Sequence, residues 1–224
     1  MSIVVAVIGD IVESRKKPDR ADTQRAVERA LDHANNMAHP LQRLAPTVGD
    51  EFQGVFTSLA DAIMATLLVR LHLPEGTDCR FGIGRGERAV VASSPSTLED
   101  GSAWWSARSA IEEVKKREGR SNRSLRTWYL PHDRELSNHD LINAHLVCRD
   151  ELVSRFDGRG RRILLGTIKG RTQSQIADDE GITQSAVSQA IAKNGSYAIL
   201  TSSQLVERSA LDVDAVTAVH VDRA

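Results

Sequence analysis

Near its start the chain carries six consecutive apolar residues, Ile3 to Ile8 (I-V-V-A-V-I), five of them β-branched. Such a run suits a strand covered on both faces, because a half-exposed strand would alternate apolar with polar residues. It is too short to span a membrane. It also lacks the basic flank and small-residue cleavage site of a secretory leader. A strand of this kind needs layers packed above and below it, so the expected class is mixed α and β. The run ends abruptly in Gly9-Asp10.

The remainder of the first half reads as a split βαβ arrangement. Ala21 to Met37 places Ala26, Val27, Ala30, Leu31 and Ala34 at helical spacing. Short strands are expected over Leu44 to Val48 and Phe52 to Phe56, with Gly49-Asp50-Glu51 at the tip of their hairpin. Leu59 to Leu73 is an apolar helix stopped by Pro74. Cys79 to Arg85 is a strand expected to turn at Gly86 into Arg88 to Ala92. A helix over Gly101 to Arg117 and a strand over Leu125 to Leu130 follow. The expected fold is therefore α+β: a ferredoxin-like, palm-type domain over 1–130. A charged, turn-rich linker (131–139) leads to an all-α domain over 140–224. Within the latter, helices are expected over 140–156, 160–168, 173–180, 184–193 and 202–209, and Val216 to Val221 reads as a short strand or an irregular end.

Charge restricts the possible partners. With 29 basic against 30 acidic residues there is no global basic field, so any nucleic-acid contact must come from a local patch. Aromatics at 4% argue against a stacking platform for single strands. The two cysteines, Cys79 and Cys148, form neither a metal pair nor a disulfide framework, and a reducing cytoplasm is expected. The seven histidines show no metal-ligand spacing.

Two acidic strand ends form the first constellation. Asp10 follows the buried strand and Asp50 sits at the hairpin, and in a split βαβ sheet these ends are neighbours. Two carboxylates there suit one or two Mg²⁺ or Mn²⁺ ions carrying a nucleoside triphosphate. Gly9 and Gly49 admit a close backbone or phosphate, and Glu51 is a further candidate ligand. Arg15, with Lys16, Lys17 and Arg20, reads equally as a phosphate contact or as a solvated basic loop. Each acidic segment alone is also an ordinary turn.

The segments G-D-I-V-E-S-R (9–15) and T-V-G-D-E-F-Q-G (47–54) resemble the signature segments of the SatD family. The N-terminal part further resembles the catalytic palm of class III nucleotidyl cyclases, and R-F-G-I-G-R-G-E (80–87) is similar to the cyclase strand that ends in a Gly-Glu turn. The resemblance implies metal ligation by Asp10 and Asp50, with Ile11 in the first metal-binding segment. W-W-S-A-R (104–108) lies where cyclases carry Asn and Arg four apart, which implies a catalytic role for Arg108 in stabilising phosphate charge. Trp104 replaces the Asn, and Pro46 stands in place of the base-selecting Lys. Metal and triphosphate binding survive these departures, while the chemistry stays open.

The second constellation spans Thr172 to Asn194. Thr172 and Gln175 have the spacing of a capping box, Gly181 suits a left-handed turn, and Thr183 suits the N-cap of a second helix. Ile182, Val187 and Ile191 would face inward. Gln184, Ser185, Ser188 and Gln189 would face outward and reach base edges, with Arg171 and Lys193 on phosphates. The spacing resembles the helix-turn-helix of sigma-like and LuxR-like DNA readers. A helix pair that serves dimerisation or domain packing is the competing reading. Trp104-Trp105 reads as a buried anchor, a base pocket or a dimer seam.

Together these features predict a DNA-binding transcriptional regulator of the SatD type whose cyclase-like domain binds a nucleotide and a divalent metal. It is expected to be a homodimer free of membranes. The alternative is a nucleotidyl cyclase or NTP-hydrolysing enzyme with the helix-turn-helix as a targeting module.

Overall fold

In the computed structural model, Ile3 to Ile8 lies within a ten-residue strand, β1 (Ser2–Ile11), buried from Val4 onward. The structure describes residues 2–14, 19–92, 97–119, 121–133 and 138–221; of residues 90–92, 97–99 and 210–221 only the backbone is considered. The order continues α1 (Arg20–Ala38), β2 (Gln42–Pro46), β3 (Glu51–Phe56), α2 (Leu59–His72), β4 (Cys79–Ala92), β5 (Thr97–Asp100), α3 (Ser102–Arg117) and β6 (Thr127–Pro131). Five helices follow: α4 (His139–Ser154), α5 (Gly158–Ile168), α6 (Gln173–Glu180), α7 (Gln184–Lys193) and α8 (Ser196–Val221).

The sheet runs β2-β3-β1-β4-β5, with β6 also pairing β4. β1 is antiparallel to both β3 and β4, and β6 is parallel to β4. This is the split βαβ order expected from the sequence, extended by α3 and β6. Both faces of β1 are covered. Val5, Val7 and Ile11 join Val27, Leu31 and Leu67 of α1 and α2 in one cluster, while Val4, Ala6 and Ile8 meet Ala103, Trp104, Ala107 and Ile111 of α3 in another. Strand alternation alone divides the run between two layers.

Two expectations are corrected. β4 does not turn at Gly86: it continues to Ala92 and forms its hairpin with β5. Gly82, Gly84 and Gly86 face α3 at every second residue. A Cβ on Gly82 would stand 2.2 Å from the Ala107 carbonyl oxygen, and one on Gly84 would stand 2.2 Å from the Ala107 nitrogen. The glycines serve helix-on-strand contact, not a bend. The C-terminal region holds one long α8 where a helix over 202–209 and a separate tail were expected. Of the expected linker, residues 134–137 lie outside the described residues. Beyond it Ile142, Leu146, Val153, Phe156, Leu164, Ile199 and Val206 join the same cluster as β1, α1 and α2.

Two asparagines finish the sheet edges. The Asn35 side chain accepts from the Leu44 nitrogen and donates to the Leu44 carbonyl on β2. Asn143 on α4 does the same for Tyr129 on β6. A side-chain amide carries one acceptor and a donor pair, so it mimics the missing strand and satisfies an otherwise open edge.

Helix α4 is further tied down by charge. Asp150, fully buried, accepts from Arg70 Nη1 at 2.9 Å and from Arg149 Nη2 at 3.0 Å, and its other oxygen accepts from the Arg126 nitrogen at 2.8 Å. Arg149 also donates to the Ile63 carbonyl, Thr66 and Thr127. Burial works against the charge on both guanidiniums. At Arg70 the carboxylates of Asp78 and Asp150 outweigh it and raise the pKa, whereas Arg149 faces Asp150 alone and is lowered.

Candidate functional site

The carboxyl end of β1 brings the predicted acidic residues to one end of the sheet. Asp10 pairs with Glu51 across β3 and with Arg80 across β4. The Ile11 nitrogen donates to the Asp50 carbonyl at 3.3 Å, which joins the strand end to the hairpin turn. Gly49 takes φ +74° in that turn, and Glu51 is the first residue of β3. Gly9 leaves room for the Phe52 ring, which a Cβ would strike at 2.2 Å.

Every acidic side chain here already has a partner. Asp10 is buried; its Oδ1 lies 3.2 Å from Arg80 Nη1 and its Oδ2 lies 2.6 Å from Lys115 Nζ. Asp50 accepts from the Ser14 hydroxyl at 2.6 Å. Glu51 takes a two-pronged pair with Arg108, at 2.7 and 2.9 Å. The Arg108 hydrogen bond holds the Glu51 carboxyl below its usual range and, reciprocally, raises Arg108. Arg80 is raised as well: burial opposes its charge, but Glu118 at 2.5 Å and Asp10 more than offset that cost.

Of the residues predicted for this site, Asp10, Ile11, Asp50, Glu51 and Arg108 are therefore neighbours, and Arg15 lies outside the described residues. Trp104 is a buried anchor under β1, whereas Trp105 is exposed and donates from its indole nitrogen to Asp100. Sequence reasoning missed Arg80 and Lys115. Arg80 was within reach, since antiparallel register of the 80–87 segment against β1 sets it beside Asp10. Lys115 approaches from α3 on another layer, and no local pattern marks it.

The donors that this strand end offers a cation are oxygens, the carboxylates of Asp10 and Asp50. That chemistry fits Mg²⁺ or Mn²⁺. The two basic groups on Asp10 already stand as positive charges on that carboxylate. Among the described residues, no three or more His, Cys, Asp or Glu side chains are grouped to hold a metal ion.

The second predicted constellation is a pair of helices, α6 and α7, joined by a short turn. Thr172 and Gln175 form a reciprocal capping box, Gly181 takes the left-handed conformation at φ +62°, and Thr183 caps α7 through the Ala186 nitrogen. Ile163, Ile176, Ala177, Val187 and Ile191 make a small core of their own with α5. Gln184, Ser185, Ser188, Gln189 and Lys193 are all exposed on α7. Two acids of α6 are paired within the module, Asp179 with Arg171 at 3.2 Å and Glu180 with Arg162 at 2.8 Å. Helix α5 is fastened to the palm where Arg161 Nη1 donates to the Arg70 and Leu73 carbonyls at the end of α2.

Among the described residues, no helix is long and apolar enough to cross a membrane. A comparison with curated proteins finds no match. Among solved structures the chain is similar to a bacterial light-regulated adenylyl cyclase, at 13% identity and TM-score 0.41, over 57% of this chain and 42% of that one. It is also similar to the dimeric guanylyl cyclase domain of the RhoGC fusion protein from Blastocladiella emersonii, at 16% identity and TM-score 0.36, over 48% and 72%. The adenylyl cyclase CyaB from P. aeruginosa matches at 13% identity and TM-score 0.34, over 47% and 69%. The model of the SatD family matches residues 4–204, nearly the whole chain, and the protein thus belongs to the SatD family.

Proposed function

We propose that this protein is a DNA-binding transcriptional regulator whose palm binds a nucleotide together with a divalent cation, and that it acts in the cytoplasm as a homodimer. The observation that carries the reading is the surface of α7. One side, Val187 and Ile191, is buried against α5 and α6, and the other presents Gln184, Ser185, Ser188, Gln189 and Lys193 to solvent. Short amide and hydroxyl side chains on a capped, well-packed helix suit base edges in a major groove, and Lys193 suits a phosphate. Arg171 shares its charge with Asp179, so it offers phosphate less than a free guanidinium would. In a dimer, two such helices read two half-sites, and nucleotide binding in the palm alters their spacing.

In the palm, Asp10 and Asp50 would hold Mg²⁺ or Mn²⁺, and the nucleotide's phosphates would complete the ion's shell. When bound, the ion neutralises phosphate charge. The enzyme alternative is disfavoured by one observation: both prongs of Arg108 are spent on Glu51, leaving it little to offer a reacting phosphate.

Gel-shift selection from a random duplex pool tests the DNA arm. Retardation is expected at low salt and should weaken steeply as salt rises. Gln184→Ala with Gln189→Ala should reduce selective binding by about 2–4 kcal/mol while sparing nonspecific binding. No retardation at low salt removes the DNA assignment. Sustained turnover of ATP or GTP with Mn²⁺ that disappears in Asp50→Ala would move the protein to the enzyme class.

A further inference from the structure

Lys115 stands in the last turn of α3 with its ammonium 2.6 Å from Asp10 Oδ2, while Arg80 occupies Oδ1. The two cations are not alike. The Arg80 side chain is only 18% exposed and is pinned to Glu118, whereas that of Lys115 is 46% exposed on a flexible four-carbon stem. A divalent ion approaching Asp10 meets like charge first, and the group able to yield is Lys115. Once displaced, its ammonium stays tethered to the last turn of α3 by that four-carbon stem, beside the same strand end. A released ammonium at that strand end faces whatever anion the metal brings with it.

We propose that Lys115 is an exchangeable counter-ion. In the metal-free protein it neutralises Asp10, and when a divalent ion takes Asp10 it transfers to the polyphosphate that accompanies the ion. Lys115 thereby opposes binding of metal alone and favours binding of metal with polyphosphate, which selects for the complex over the free cation. The proposal rests on the reading of Asp10 as a metal ligand.

Binding is measured on the full chain with two probes: Mn²⁺ alone, by paramagnetic titration, and inorganic tripolyphosphate in saturating Mn²⁺, by calorimetry. Lys115→Met should bind Mn²⁺ alone about five- to tenfold more tightly, because a competing charge is gone. It should bind tripolyphosphate about tenfold more weakly, because a charge-assisted contact is gone. Lys115→Arg should keep the tripolyphosphate affinity near wild type. Opposite shifts on the two probes are the signature, since a packing defect would weaken both. If Lys115→Met leaves either affinity unchanged, or lowers both, the exchange is wrong. Asp10→Asn separates the two claims: Mn²⁺ binding that persists in Asp10→Asn overturns the metal site itself. Loss in Asp10→Asn with no effect of Lys115→Met overturns the exchange alone. Absence of Mn²⁺ binding in both wild type and Lys115→Met overturns both claims.

Discussion

Asp150→Asn makes a demanding test of how α4 is held on the palm. The carboxylate is fully buried, with Arg70, Arg149 and Thr127 donating to one oxygen and the Arg126 nitrogen donating to the other. All four partners are donors. An amide keeps the shape but removes the charge, and whichever atom becomes NH₂ points a donor at a donor. Arg70 retains Asp78 at 3.0 Å, so the group left uncompensated is mainly Arg149, which is 1% exposed. Removing one partner of a buried ion pair costs about 3–5 kcal/mol, a large share of the roughly 5–15 kcal/mol that holds a domain folded. For a chain of this size each kcal/mol moves the melting temperature by about 2–4 °C, so Asp150→Asn should melt about 6–20 °C below wild type. Urea unfolding followed by circular dichroism supplies the free energy directly. The double variant Asp150→Asn with Arg149→Met removes the stranded cation and should recover at least ~1 kcal/mol. A loss under ~1 kcal/mol for the single variant, or no recovery in the double, would refute the claim that Asp150 is needed to neutralise Arg149.

Two further outcomes test the sheet and the pH response. Gly84→Ala forces a methyl to within 2.2 Å of the Ala107 nitrogen, backbone that has nowhere to move; it should cost about 2–4 kcal/mol in urea unfolding, whereas Gly119→Ala, whose Cβ would meet nothing nearer than 4.0 Å, should cost less. His145, on α4, is pushed down to about 4 by burial and by Arg149. A histidine depressed when folded takes up its proton more readily unfolded, so its contribution to stability is present above about pH 6.5 and is lost as pH falls toward 4. Denaturation midpoints of wild type should therefore drop across that window, and His145→Leu should flatten the drop; an unchanged slope in the variant would assign the effect to other groups.

The elements themselves were legible because their signals are local. A β-branched run, helical spacing of apolar residues, and the caps at Thr172, Gly181 and Thr183 each act within a few residues, and α6 and α7 match the expected ranges. Gly86 was misjudged for the same reason: from the chain alone a glycine between two strand-like runs is a turn, and only the α3 backbone lying against β4 reveals another use.

Periodicity and turn chemistry determine roughly where strands and helices lie, that β1 is covered on both faces, and that Asp10 and Asp50 stand at a strand end and a hairpin turn. They are silent on partners that arrive from distant parts of the chain. Pairing of Lys115 with Asp10, of Arg108 with Glu51, and of Asp150 with Arg70 joins residues 105, 57 and 80 positions apart. Charge acts through space with no signature in spacing, so only the packed tertiary structure decided which cation each carboxylate holds.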